Sequence, residues 1–140
     1  MDSTALFAFM VGVLVVGVML AAVIMFTKKG PGPLDVDKYR SRWLAIETQL
    51  KRDEVSSYHL CVMNADKLLD QALRDRAIKG DTMGARMKTA KDTWSNANAV
   101  WTAHKLRNQI AHESDVRVDY DEARRALSAF KQALKDIGAI

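Results

Sequence analysis

Apolar positions follow two different patterns along the chain. From Ala5 to Phe26 the sequence reads ALFAFMVGVLVVGVMLAAVIMF, 22 residues with no charge and no strong hydrogen-bonding side chain. From Leu34 onward apolar residues recur at spacings of three and four, interleaved with charge. The continuous run is apolar on every side, as a helix in lipid must be, whereas the periodic segments have one face to bury against other helices. At about 1.5 Å per residue the continuous run spans about 33 Å, enough for a hydrocarbon core of about 30 Å.

A secretory signal would carry a basic leading region, a shorter apolar stretch and a small-residue cleavage site. Met1 to Thr4 contain no lysine or arginine, and the apolar run is long. Residues 1–27 are therefore expected to be an uncleaved, single-pass membrane anchor. Lys28 and Lys29 follow it, and Asp2 is the only side-chain charge before it. The positive-inside tendency then places the N-terminus outside and the C-terminal part in the cytoplasm of a cell-membrane protein. Next comes KKGPGP, where Gly30, Pro31, Gly32 and Pro33 cannot continue a helix, so residues 28–34 read as a short, stiffened tether.

Beyond Pro33 there is no further proline. The periodicity of residues 35–140 predicts an all-α domain of four or five helices. Tyr39, Trp43, Ile46 and Leu50 form one stripe on a helix from about Asp35 to Arg52. The next helix, about Glu54 to Ile78, carries two stripes: Tyr58, Cys61, Ala65, Leu68 and Ala72, and Val55, Val62, Leu69 and Leu73. Its wide apolar arc makes it the central helix, and Gly80 is the expected left-handed cap at its end. Asp81 or Thr82 opens a shorter helix with Met83, Met87, Ala90 and Trp94 as its stripe. WSNAN then reads as a turn with Ser95 or Asn96 as N-cap. A helix over Ala97 to His112 buries Val100, Trp101, Leu106 and Ile110. After the polar connector ESDVRV, Asp119 and Glu122 have capping-box spacing and launch the last helix. Its stripe is Ala123, Leu127, Phe130, Leu134 and Ile137. Short connectors imply antiparallel neighbours, hence an antiparallel four-helix bundle beside the membrane helix.

Charge changes this picture little. Residues 1–27 hold one of the 17 acidic residues and none of the 21 basic ones, leaving the remainder at 21 basic against 16 acidic. That mild excess suits contact with a polyanion or an anionic lipid surface without requiring it. The lone Cys61 makes no intramolecular disulfide and sits in an apolar stripe, as a core residue does. No histidine pairs with carboxylates at metal-ligand spacing, and there is no glycine-rich phosphate loop or G-x-S-x-G motif, so neither a metal nor a cofactor is expected.

The stretch HKLRNQIAHE, His104 to Glu113, fits a plain bundle surface least well. Asn108 and His112 lie four residues apart on one face, with His104 one turn earlier. Arg107 and His112 are about 140° apart on an ideal helix, so they converge only through a distorted helix end, a long reach by Arg107, or pairing of two chains. Arginine binds phosphate oxygens in a fork and stabilises charge, while histidine exchanges a proton near neutral pH. The plainer reading is a histidine at a helix C-terminus favoured by the helix dipole, with Asn108 bonded to a neighbouring helix. His59 lies seven residues before Asp66 on the same helix face, where a charge pair or a satisfied interior histidine are both open. His104 reads as an extension of the site or as a surface residue.

LRNQIAH, Leu106 to His112, resembles the arginine–polar–three residues–histidine signature of the HEPN superfamily (higher eukaryotes and prokaryotes nucleotide-binding domains). NADKLLDQAL, Asn64 to Leu73, is similar to that family's acidic second helix, with aspartate where glutamate is more usual; TMGARM, Thr82 to Met87, is loosely similar to the start of its short third helix. The similarity covers roughly residues 36–139. It implies a HEPN-like bundle that acts as a homodimer, with RNA or a nucleotide as ligand and metal-independent RNA cleavage as the activity of catalytic members. His112 would then transfer the proton, Arg107 hold the scissile phosphate, Asn108 orient the histidine or the phosphate, and Asp66 position Arg107 or His112. Other members keep the bundle and serve only in binding or dimerisation, which leaves a non-catalytic, membrane-anchored interaction domain as the alternative. A membrane tether suits a nuclease held in check by a regulatory protein partner.

Overall fold

The computed structural model describes residues 2–27 and 32–140. Among the described residues it contains six helices and no strand: α1 (Ser3–Thr27), α2 (Val36–Gln49), α3 (Val55–Asp75), α4 (Met83–Thr89), α5 (Ala97–His112) and α6 (Tyr120–Asp136). Lys28, Lys29, Gly30 and Pro31, on which the orientation and most of the tether reading rest, lie outside the described residues. The chain divides into two units, Met1–Gly32 and Pro33–Ile140.

In the first unit, Ser3–Phe26 is a helix of 24 residues with a mean hydropathy of 2.9, long and apolar enough to cross a membrane. Phe9, Met10, Val18 and Met19, which point in all directions around its axis, are each more than half exposed. No polar face interrupts them, so this is not the amphipathic helix of a membrane surface.

In the second unit α3 is the central element, packed against α2, α4, α5 and α6, as its two stripes predicted. Cys61, Val62, Ala65, Leu69, Ala72 and Leu73 are wholly buried, and Trp43, Met87, Val100, Phe130 and Leu134 close over them from the other helices. Burial pushes the Cys61 thiol up from its ordinary pKa. The direction of packing follows from side-chain contacts. Tyr39, at the start of α2, donates to Asp75 at the end of α3, while Gln49 at the end of α2 accepts from Asn64 nearer the start of α3, so the two run antiparallel. Ser95, just before α5, bonds Asp136 at the end of α6, which makes that pair antiparallel too. The Tyr39 hydrogen bond holds the Asp75 carboxyl below its usual pKa; burial and the same contact push the Tyr39 phenol up.

Helix starts match the sequence signals. Asp35, Thr82 and Asn96 each accept the backbone N–H three residues on, at 3.1 Å, and Asp119 with Glu122 completes the capping box at 2.8 and 3.0 Å.

Three expectations need correction. Val55 is 61% exposed and joins no buried stripe. Trp101, Leu106 and Ile110 of α5 are half-buried, at the edge of the core rather than inside it. The left-handed cap of α3 is Ala77, at φ 56°, not Gly80. Ala77 N–H donates to Arg74 at 2.8 Å and Ile78 N–H to Leu73 at 3.0 Å, the double closure of a Schellman end. Gly80 is needed for a different reason: a Cβ there would lie 2.6 Å from the Arg86 backbone nitrogen, where α4 crosses over the chain.

Candidate functional site

The middle of α5 faces α3 through a polar ring set into an apolar interface. Asp66 on α3 has a side chain only 4% exposed, and a buried carboxylate of this kind requires donors. It finds two on α5. His104 Nδ1 lies 2.7 Å from Asp66 Oδ1, and Arg107 Nε lies 3.3 Å from Asp66 Oδ2. The second contact is an ion pair whose N–H is not aligned on the oxygen, so Nε stays without a formed hydrogen bond. Asn108 closes the ring: its Oδ1 accepts from Arg107 Nη1 at 3.0 Å, and its Nδ2 lies 3.4 Å from His104 Nε2. Trp101, one turn before His104, meets the imidazole edge-on at 6.0 Å and 78°.

The helical repeat explains this geometry. His104 and Asn108, four apart, share a strip of α5, and Arg107 sits beside it with a side chain long enough to reach back to Asp66. Arg107 remains one-third exposed, so one part of its guanidinium is committed and the rest is reachable from solvent.

That exposed part opens on a groove of about 1040 Å³ between α3, α4 and α5. Six basic side chains line it against the three acidic ones Asp66, Asp70 and Asp81. Asp70 is engaged by Arg86 at 2.7 Å and Arg74 at 3.0 Å, and Arg86 also donates to the Gly80 carbonyl at 2.7 Å, which pins α4 to α3. Lys67, Lys88 and Lys105 are exposed and have no ion-pair partner among the described residues. A concave surface carrying three uncommitted ammonium groups and a half-committed guanidinium attracts phosphate oxygens.

Of the four residues singled out in the sequence, the structure brings together Asp66, Arg107 and Asn108. His112 is not with them: it is exposed, at the last position of α5, and lines no part of the groove. His104, left open between site and surface in the sequence, is 8% exposed and central to the ring. Its four-residue spacing from Asn108 was visible; its need for Asp66, 38 residues earlier, was not. His59 does not pair with Asp66; its Nε2 is buried without a hydrogen-bond partner among the described residues. The groove lysines and Arg86 had no signature in the sequence, because they meet only where α3, α4 and α5 come together. Among the described residues no three His, Cys, Asp or Glu side chains converge as metal ligands would.

Comparison of the chain with protein-family models, curated proteins and solved structures gives no match.

Proposed function

We propose that this chain is a single-pass, membrane-tethered helical domain of HEPN type that engages RNA or a nucleotide at the Arg107 groove and works as a homodimer. In this reading α2, α3, α5 and α6 are the antiparallel four-helix bundle, the N-terminus is outside, and the groove faces the cytoplasm. The observation that carries it is the placing of Arg107: Asp66 and Asn108 hold its guanidinium at the rim of a groove bearing Lys67, Lys88 and Lys105. The activity we assign is metal-independent RNA cleavage. Arg107 binds the scissile phosphate, and His112, exposed at the end of α5, is contributed across the two-fold axis as the proton-transfer group. Asp66 and Asn108 position Arg107. This division of labour removes the need for Arg107 and His112 to converge within one chain.

A specific observation favours a second reading. Asp66 neutralises Arg107 within its own chain and His104 closes the other side of the carboxylate. A ring so self-satisfied equally serves a non-catalytic interaction domain, in which it fixes the α3–α5 interface.

The test uses the full chain in detergent micelles with chelator, incubated with single-stranded RNAs of varied sequence. Wild type is expected to cut, and His112→Ala and Arg107→Ala each to slow cutting by about 10²-fold or more. RNA binding without cutting reduces the reading to a binding module. Neither binding nor cutting, in a folded dimer, leaves the interaction domain.

A further inference from the structure

The hydrogen-bond ring has a direction, and that direction fixes the proton on His104. Asp66 Oδ1 at 2.7 Å only accepts, so His104 Nδ1 carries a hydrogen. Arg107 Nη1 only donates, so the atom of Asn108 that faces it at 3.0 Å is the carbonyl oxygen. The Asn108 amide therefore turns its NH₂ toward His104 Nε2, which receives it only as a bare lone pair. Together these partners are met by an imidazole that carries its hydrogen on Nδ1 and accepts at Nε2.

We propose that His104 is the positioning residue of this groove: through Asn108 it sets the orientation of Arg107, and gaining a proton reverses that setting. Protonated Nε2 needs an acceptor, and Asn108 is its neighbour. The amide must turn its oxygen to His104, which brings its NH₂ group against Arg107 Nη1, donor against donor. Arg107 then leaves Asn108 and presents Nη1 to the groove, beside one added positive charge. Histidine is the side chain whose charge ordinarily changes between pH 5 and 8, so a pH titration is the way to test the device.

The surroundings do not duplicate this role. From α3 the groove presents Asp66, Lys67, Asp70 and Arg74; from α4, Arg86 and Lys88, with Asp81 just before it; from α5, Lys105 and Arg107. Of these, Asp66 alone bonds His104, at Nδ1, so a proton gained at Nε2 leaves that contact its donor. No α6 side chain lines the groove.

The binding arm of the test rests on the reading of the groove as an RNA site; the spectroscopic arm does not. Full chain in micelles, ¹⁵N-labelled at histidine and asparagine, is titrated from pH 8 to pH 5.5 by NMR, and a fluorescent single-stranded RNA is titrated across the same range. We expect His104 Nε2 to be unprotonated at pH 8, and the Asn108 side-chain amide signals to shift together with protonation of His104. RNA binding gains about fivefold in acid from the extra charge, beyond any change in His104→Gln. Glutamine donates to Asp66 and accepts from Asn108 but takes up no proton, so its profile lacks that gain, whereas the other histidines titrate in both proteins. Asn108→Asp, which offers Nε2 an acceptor, should leave His104 protonated at pH 8, a result that stands even if His104→Gln does not fold.

A proton on Nε2 at pH 8 in the wild type, or measurable RNA binding with the same pH profile in wild type and His104→Gln, overturns the proposal. Coupled His104 and Asn108 shifts with no RNA bound at any pH uphold the relay and sink the RNA reading instead.

Discussion

His104 and His112 lie eight residues apart on one helix, in the same stretch of ten residues, and they occupy opposite environments. His104 is 8% exposed, with one ring nitrogen on a buried carboxylate and the other facing an amide. His112 is exposed at the helix end, where the backbone carbonyls of the last turn attract positive charge. Neither difference is a property of histidine or of local spacing. One residue is opposite Asp66 and the other stands at the last position of α5, outside the groove. A buried polar residue is tied to stability and geometry, and an exposed one is free to meet a second molecule.

The largest expected effect breaks the His104 side of this contrast at its root. Asp66→Ala leaves His104 Nδ1 without an acceptor and Arg107 without its ion-pair partner in a nearly closed site, and should cost about 3 kcal/mol or more of stability. Urea unfolding of the full chain in micelles, followed by tryptophan fluorescence, measures it; a loss below 1 kcal/mol would mean that water reaches the ring freely. Next is His104→Ala, at about 2 kcal/mol from lost packing and an unpaired Asp66. A double-mutant cycle of the two should return a coupling of about 1–3 kcal/mol, since they share one hydrogen bond.

Asp75, on the same helix as Asp66 but exposed, shows what a polar contact is worth outside the core. Tyr39→Phe removes its hydrogen bond and should cost about 1 kcal/mol near neutral pH. Because that bond lowers the folded pKa of Asp75 below its unfolded value, the stabilisation is fully present above the unfolded value of about 4 and is lost as pH falls through the folded one. The gap between wild type and Tyr39→Phe should therefore hold from pH 5 to 8 and narrow below about pH 4. Smallest of all, His112→Ala should change stability by no more than about 0.5 kcal/mol in either direction. A loss above 1 kcal/mol would place His112 within the packed structure and erase the contrast.

Local chemistry made much of the fold readable. The starts of α2, α4, α5 and α6 follow from single side chains, Asp35, Thr82, Asn96 and Asp119, that cap backbone groups three residues away. The end of α3 was misread because glycine is the usual left-handed residue, whereas here the closing bonds to Leu73 and Arg74 hold Ala77 in that conformation. Gly80, the obvious candidate, answers a clash with α4 that no local rule contains. The site divides the same way. Arg107 and Asn108 stood out in one polar stretch and Asp66 through the family resemblance, but the groove did not, since Lys67, Lys88 and Lys105 come from three helices.

The amino-acid sequence by itself determined a helix apolar enough for a membrane, a helical domain, and the buried faces of α2, α3, α4 and α6. These depend on residue type and on a repeat of about 3.6 residues, both short-range properties. The tertiary structure alone decided which histidine is locked and which is free, what satisfies Asp66, and where positive charge collects. Those depend on which residues of α3, α4 and α5 end up opposite one another, and a buried carboxylate can be satisfied only by donors that the packing brings within about 3 Å.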